Sequence, residues 1–152
     1  MALYLGLCGV AHHVAVGRVR EFARRSNLAV VRLAALPAPA SLWRWSGLVQ
    51  MPEGVYRIPL DLADSRPPNS RFFANAEENL FLKASEQREE VKTYLWFARF
   101  PWVTYRQNGA LHIVEYKDIQ FLRSSQNSAP PFTLRISLDE RGRVLAARLL
   151  QP

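Results

Sequence analysis

Arg99, Trp102, Tyr105, Asp118 and Arg123 bracket the point where a charged helical stretch gives way to a β-hairpin. Two guanidinium groups, a carboxylate and aromatic rings in so short a span can build a polar pocket for an anion. Trp43 and Trp45 would give that pocket an apolar wall. The same residues also have a purely structural use. An arginine at a helix end can hydrogen-bond the last carbonyls. Asp118 can pair with Arg99 or Arg123, and the two tryptophans suit core or sheet-face packing.

Other chemistry finds less support. His12 and His13 are adjacent, so on a helix they point about 100° apart. A helical metal pair needs ligands three or four residues apart on one face. His112 is distant, and Cys8 lies in an apolar stretch without the electropositive setting of a reactive thiol. There is no Gly-rich phosphate loop, dinucleotide fingerprint or G-x-S-x-G elbow. No catalytic residue, metal ligand or cofactor is assigned to this chain. With a single cysteine no internal disulfide can form, which fits a reducing compartment.

The formal net charge is +7, and it is unevenly spread. Residues 1–32 hold Arg18, Arg20, Arg24, Arg25 and Arg32 against Glu21, five minus one, a balance of +4. Zinc-finger spacing, an RNP-type strand and a lysine-rich arm are all missing, so nucleic acid is not expected as a partner. Residues 2–16 before these arginines carry no formal charge. Leu3, Leu7, Val10 and Val14 form one stripe of a helix; Tyr4, Cys8 and Ala11 form another. Such a run is shorter than the ~20 residues a bilayer span requires. It lacks the basic start and cleavage site of a secretory signal. Two roles fit it: a helix buried in a core or an oligomer, or the tail of a membrane segment. In the second, Arg18, Arg20, Arg24 and Arg25 form a membrane-surface cluster. Ser26-Asn27 ends the helix.

At 152 residues and 49% apolar content, the rest can form one packed core. The expected organisation is a helical segment over 1–27 and a single α+β soluble domain over 28–152. Strands are expected over 28–36 and 42–49, the latter with Trp43 and Trp45 on one face, and over 55–62 after a turn at 52–54. Residues 63–76 read as an irregular loop. Residues 77–98 read as a helix, or two shorter ones, ended by Arg99-Phe100-Pro101. Strands follow over 102–106 and 110–116 around a type I′ turn at Asn108-Gly109. Further strands are expected over 118–123, 132–138 and 144–150, with a loop at 124–131. Hairpins in series, rather than alternating βαβ units, predict an α+β fold with a largely antiparallel meander sheet and a helix packed on one face.

Several of these segments together resemble the C-terminal soluble part of the membrane-bound metal-dependent hydrolases, the YdjM-like inner-membrane proteins. They are Pro37-x-Pro39-x-x-x-Trp43-x-Trp45, the run Tyr94-Leu95-Trp96-Phe97-Ala98-Arg99-Phe100-Pro101, Asp118-x-x-Phe121, and Pro131-Phe132. Gln120 stands where the resemblance leads one to expect arginine. The resemblance implies preceding membrane helices whose histidines hold a divalent metal, and a location at the cytoplasmic face of a bacterial inner membrane. This chain would then be an accessory or regulatory domain without a complete catalytic site. Its partners would be the membrane, the membrane portion of the same protein, or further copies of itself. A non-enzymatic module that binds a partner protein or an anionic membrane surface through the basic helix is the alternative.

Overall fold

Asn27 adopts φ 49°, the left-handed conformation that a helix end favours. Its amide donates to the Arg24 carbonyl, and the Leu28 amide donates to Ala23, so two of the carbonyls in the last turn of the helix gain partners. The expected stop at Ser26-Asn27 is therefore met. The computed structural model describes residues 2–64, 66, 68–122 and 131–150, with side chains from residue 6 onward. The expected stripe positions Leu3 and Tyr4 lie outside the described side chains, and Arg123 and the expected loop at 124–130 lie outside the described residues.

The fold is α+β. Among the described residues, helix α1 (Ala2–Arg25) precedes a four-stranded antiparallel sheet of β1 (Arg32–Pro37), β2 (Arg44–Met51), β3 (Gly54–Asp61) and β4 (Arg71–Ala74). Helices α2 (Leu80–Glu86) and α3 (Glu89–Phe97) precede a second antiparallel sheet. Its strands are β5 (Pro101–Asn108), β6 (Leu111–Asp118), β7 (Thr133–Leu138) and β8 (Val144–Leu150), in sequence order. The chain divides into two compact units, 1–73 and 74–152. The sequence suggested a division at residue 27. α1 instead packs on the first sheet, because its charge-free surface includes an i, i+4, i+8 row of small and branched residues.

That row is Ala15, Val19 and Ala23, all buried against Ala35, Trp45, Val49, Ile58 and Leu60. Close approach is possible because β2 carries Gly47 where the helix crosses. A Cβ at Gly47 would lie 2.5 Å from Val19 Cγ2 and 3.3 Å from Ile58 Cβ. Val19 is β-branched and buried, so it has no easy rotamer to escape into. Gly47→Ala should cost about 1–3 kcal/mol in urea unfolding. Adding Val19→Ala to that variant should recover part of the loss, because the two groups share one space.

Several local expectations change. Trp43 lies just before β2 and not in it. The β2 ladder begins at Arg44, paired with Asp61, and the Ser41 hydroxyl accepts hydrogen bonds from the amides of Trp43 and Arg44. Trp43 is thus held in a turn and is 60% exposed, while Trp45 is core. β4 lies within the stretch read as irregular loop. The 77–98 stretch is two helices. Asn79 caps the first, accepting from Phe81 and Leu82, and Arg88 has extended backbone between them. Glu89 and Glu90 then sit at the positive end of α3. In the β5–β6 turn φ is positive at Gly109 but not at Ala110, the pattern of type II′ rather than I′. Residues 119–121 form a 3-10 turn, not a strand.

Candidate functional site

The donors near the helix-to-hairpin junction already hold an anion, and it is the chain's own Asp118. Asp118 is buried at the end of β6, where β6 pairs with Pro101 at the start of β5. Its Oδ2 accepts from the Arg99 amide at 2.9 Å and from Gln120 Nε2 at 2.8 Å. Oδ1 accepts from the amides of Phe100 at 3.3 Å and Gln120 at 3.1 Å. Four donors satisfy the carboxylate, so it serves as a fastener between the end of α3 and the end of β6. Gln120, where the resemblance suggested arginine, makes its side-chain bond to Asp118 with an amide.

Within the second unit the other residues named from sequence do not join Asp118 in a pocket. Arg99 is exposed, and its backbone rather than its guanidinium meets Asp118. Tyr105 pairs with Val114, four residues along β5 from Pro101, which is about 13 Å of strand. There its hydroxyl lies 2.7 Å from His112 Nδ1, and both rings stack with Phe81. Trp45 belongs to the first unit; its indole N–H donates to the Leu42 carbonyl, and His12 stacks on its ring.

The arginines of α1 also separate by role. Arg18 donates to three carbonyls at the end of β3, those of Asp61, Leu62 and Asp64. Arg24 and Arg25 share Glu21. Arg20 is exposed and makes no ion pair among the described residues. The cluster still carries excess positive charge, but Arg18 is chiefly a tie between helix and sheet.

A cleft in the second unit was not foreseen. It measures about 670 Å³ and opens between α3 and the outer half of the sheet. Tyr94 and Phe97 line it from the helix, Leu134 from β7, Ala147 and Leu149 from β8, and Phe132 from the turn before β7. Glu89, Glu90 and Thr93 form its polar rim. Phe132 holds φ 63°, an uncommon conformation for a bulky residue, and its ring meets Phe121 edge-on. One signal was present in the sequence: Tyr94-Leu95-Trp96-Phe97 is four bulky apolar residues in one helical turn. A helix can bury only part of such a run on one face. Tyr94 is buried, while Trp96 is 87% exposed and Phe97 is exposed at the cleft.

The cleft is built for apolar contact. Burial, with the Asp118 carboxylate second, pushes the Tyr94 phenol well up, so it stays neutral. Glu90 is held below its ordinary value by its hydrogen bond from Arg88. Comparison with protein-family models, with curated proteins and with solved structures finds no match. Among the described residues no group of His, Cys, Asp and Glu is placed to hold a metal ion.

Proposed function

We propose that this chain is a non-catalytic accessory domain of a larger bacterial membrane protein, held at the cytoplasmic membrane face through α1. The observation that carries this reading is the division of α1 into two faces. Ala15, Val19 and Ala23, with Ala11 beside them, pack on the first sheet. On another face Leu7, Val10 and Val14 stand exposed, Val10 at 65%. No formal charge occurs between residues 2 and 16, and the arginines follow directly. An exposed apolar ridge leading into a basic segment suits the boundary between acyl chains and headgroups. No helix of the described residues is long and apolar enough to cross a membrane, so this support concerns contact with the bilayer surface. The resemblance of the Tyr94–Pro101 run and the Trp43-x-Trp45 motif to the membrane-bound metal-dependent hydrolases supplies the context. In that context the metal chemistry belongs to membrane helices, and this domain regulates them or presents substrate.

Vesicle flotation tests the membrane contact. The chain should float with phosphatidylcholine vesicles and more completely when phosphatidylglycerol is included. Three apolar side chains leaving water contribute on the order of 4 kcal/mol. Leu7→Asp combined with Val10→Asp should therefore leave the chain at the bottom of the gradient with its circular dichroism unchanged. Arg20→Gln should reduce only the dependence on phosphatidylglycerol. A wild-type chain that stays unbound with both vesicle types removes the reading. The larger-protein half is tested by the genomic reading frame: membrane helices are expected upstream of Met1, and an in-frame stop there would remove it.

A further inference from the structure

β8 is the last strand of the second sheet, and among the described residues no backbone group pairs with its outer side. Uncovered edges template pairing with another strand, and proteins usually blunt them. β5, at the opposite edge, is covered: the Ala76 amide donates to the Val103 carbonyl, and the Val103 amide donates to Asn75 Oδ1. Among the described residues β8 has no such cover. Leu145 and Leu149 are exposed on it, and the apolar cleft with Phe97 and Phe132 runs alongside.

We propose that two copies of this chain join through β8, antiparallel and centred on Ala147, so that their second sheets run on as one. The strand's own sequence, Val144-Leu-Ala-Ala-Arg-Leu-Leu150, selects the partner and the register. A two-fold axis normal to the sheet keeps like faces together, so each residue must oppose one of the same face. Centred on Arg148, the pairing would set two guanidinium groups directly against each other, which is unfavourable. Centred on Ala147, it sets alanine against alanine and Arg148 against the partner's Ala146, over which the arginine stem can lie. Leu149 then meets the partner's Leu145. The bulge in the β7–β8 pairing makes Leu145 an extra residue between Val144 and Ala146. The new ladder therefore ends there, and that last meeting is between side chains. The leucine contacts extend the apolar surface of each cleft rather than leaving it at an open edge.

Sedimentation velocity on the intact chain should give twice its 17.4 kDa mass. Ala146→Glu places a carboxylate opposite the partner's Arg148 at two symmetric positions and should tighten the dimer about tenfold. Ala146→Arg should loosen it by a similar factor. In a Cys8→Ser background, Ala147→Cys should oxidise to a covalent dimer, since directly opposed Cα atoms lie within disulfide reach. Ala146→Cys should cross-link far less. A monomer at high micromolar concentration overturns the proposal, and so does an extended peptide that binds β8 on a monomeric chain. A dimer insensitive to both Ala146 charge variants, or one dissolved by Leu7→Asp with Val10→Asp, equally overturns it.

Discussion

Asp118→Ala should lower stability by about 3 kcal/mol in urea unfolding, a large loss for one exchange among 152 residues. The carboxylate accepts four hydrogen bonds, from the amides of Arg99, Phe100 and Gln120 and from the Gln120 side chain. Removing it strands donors around a buried phenylalanine, Phe100, where water cannot replace it freely. Each buried unsatisfied donor costs about 1–3 kcal/mol, partly relieved by local rearrangement. Asparagine should rescue only in part, because its NH2 group would face donors where Oδ2 now accepts. Amide hydrogen exchange at Arg99 and Phe100 should rise by several orders of magnitude in the alanine variant. A loss under 1 kcal/mol would show that the junction is held by packing alone.

Glu115→Ala should cost a comparable amount, about 3 kcal/mol, through a different cause. Glu115 and Lys117 are both buried on β6, and Lys117 Nζ lies 2.8 Å from Glu115 Oε2. Arg135 donates from Nε at 2.8 Å to Oε1. Lys117 also donates to Thr104 and lies over the Trp102 ring at 4.7 Å. Without the carboxylate, the ammonium stays buried with only a hydroxyl and a π face to replace it. Glu115→Leu with Lys117→Met should restore most of the stability, since a buried pair exchanged whole for apolar groups is often neutral.

The pH dependence has a definite sign. Burial acts to raise the Glu115 carboxyl, but the hydrogen bond from Lys117, its charge and Arg135 outweigh it, so the value is held below the ordinary 4.5. The unfolded state therefore binds the proton more readily. The contribution is fully present above about pH 4.5 and is lost as pH falls through the lower folded value. Glu115→Gln should flatten the acid limb of stability against pH over that window. Parallel acid limbs for the two proteins would contradict the assignment.

Local chemistry made much of the fold legible. Ser26-Asn27 closed the first helix, Pro52-Glu53 turned the β2–β3 hairpin, and Asn108-Gly109 marked the β5–β6 turn. These signals act within a few residues and do not depend on what lies across the molecule. The candidate site residues are harder to place, because their neighbours are distant in sequence. Arg18 lies 43 to 46 residues from the carbonyls it binds, and nothing in GRVREFARR marks it apart from Arg20. Asp118 could be read as one half of a pair with Arg99 or Arg123. The backbone amide of Arg99, not its charge, is what meets the carboxylate, and sequence reading rarely weighs backbone donors. The Trp43–Trp45 alternation stops short at its first residue, because the ladder begins at Arg44 and the Trp43 amide turns to the Ser41 hydroxyl.

The sequence by itself determined the α+β class, the antiparallel hairpins, and a first helix without charge until Arg18. Those follow from hydrophobic period, turn residues and composition, which each segment carries in itself. Only the tertiary structure decided that the strands form two sheets, and that α1 buries one row while leaving Leu7, Val10 and Val14 exposed. It alone opened a cleft between α3 and β8 and, among the described residues, left the outer edge of β8 without a partner strand. The physical reason is that burial is relational: a residue's apolarity is set by its type, but whether it meets water depends on which surface the rest of the chain brings against it.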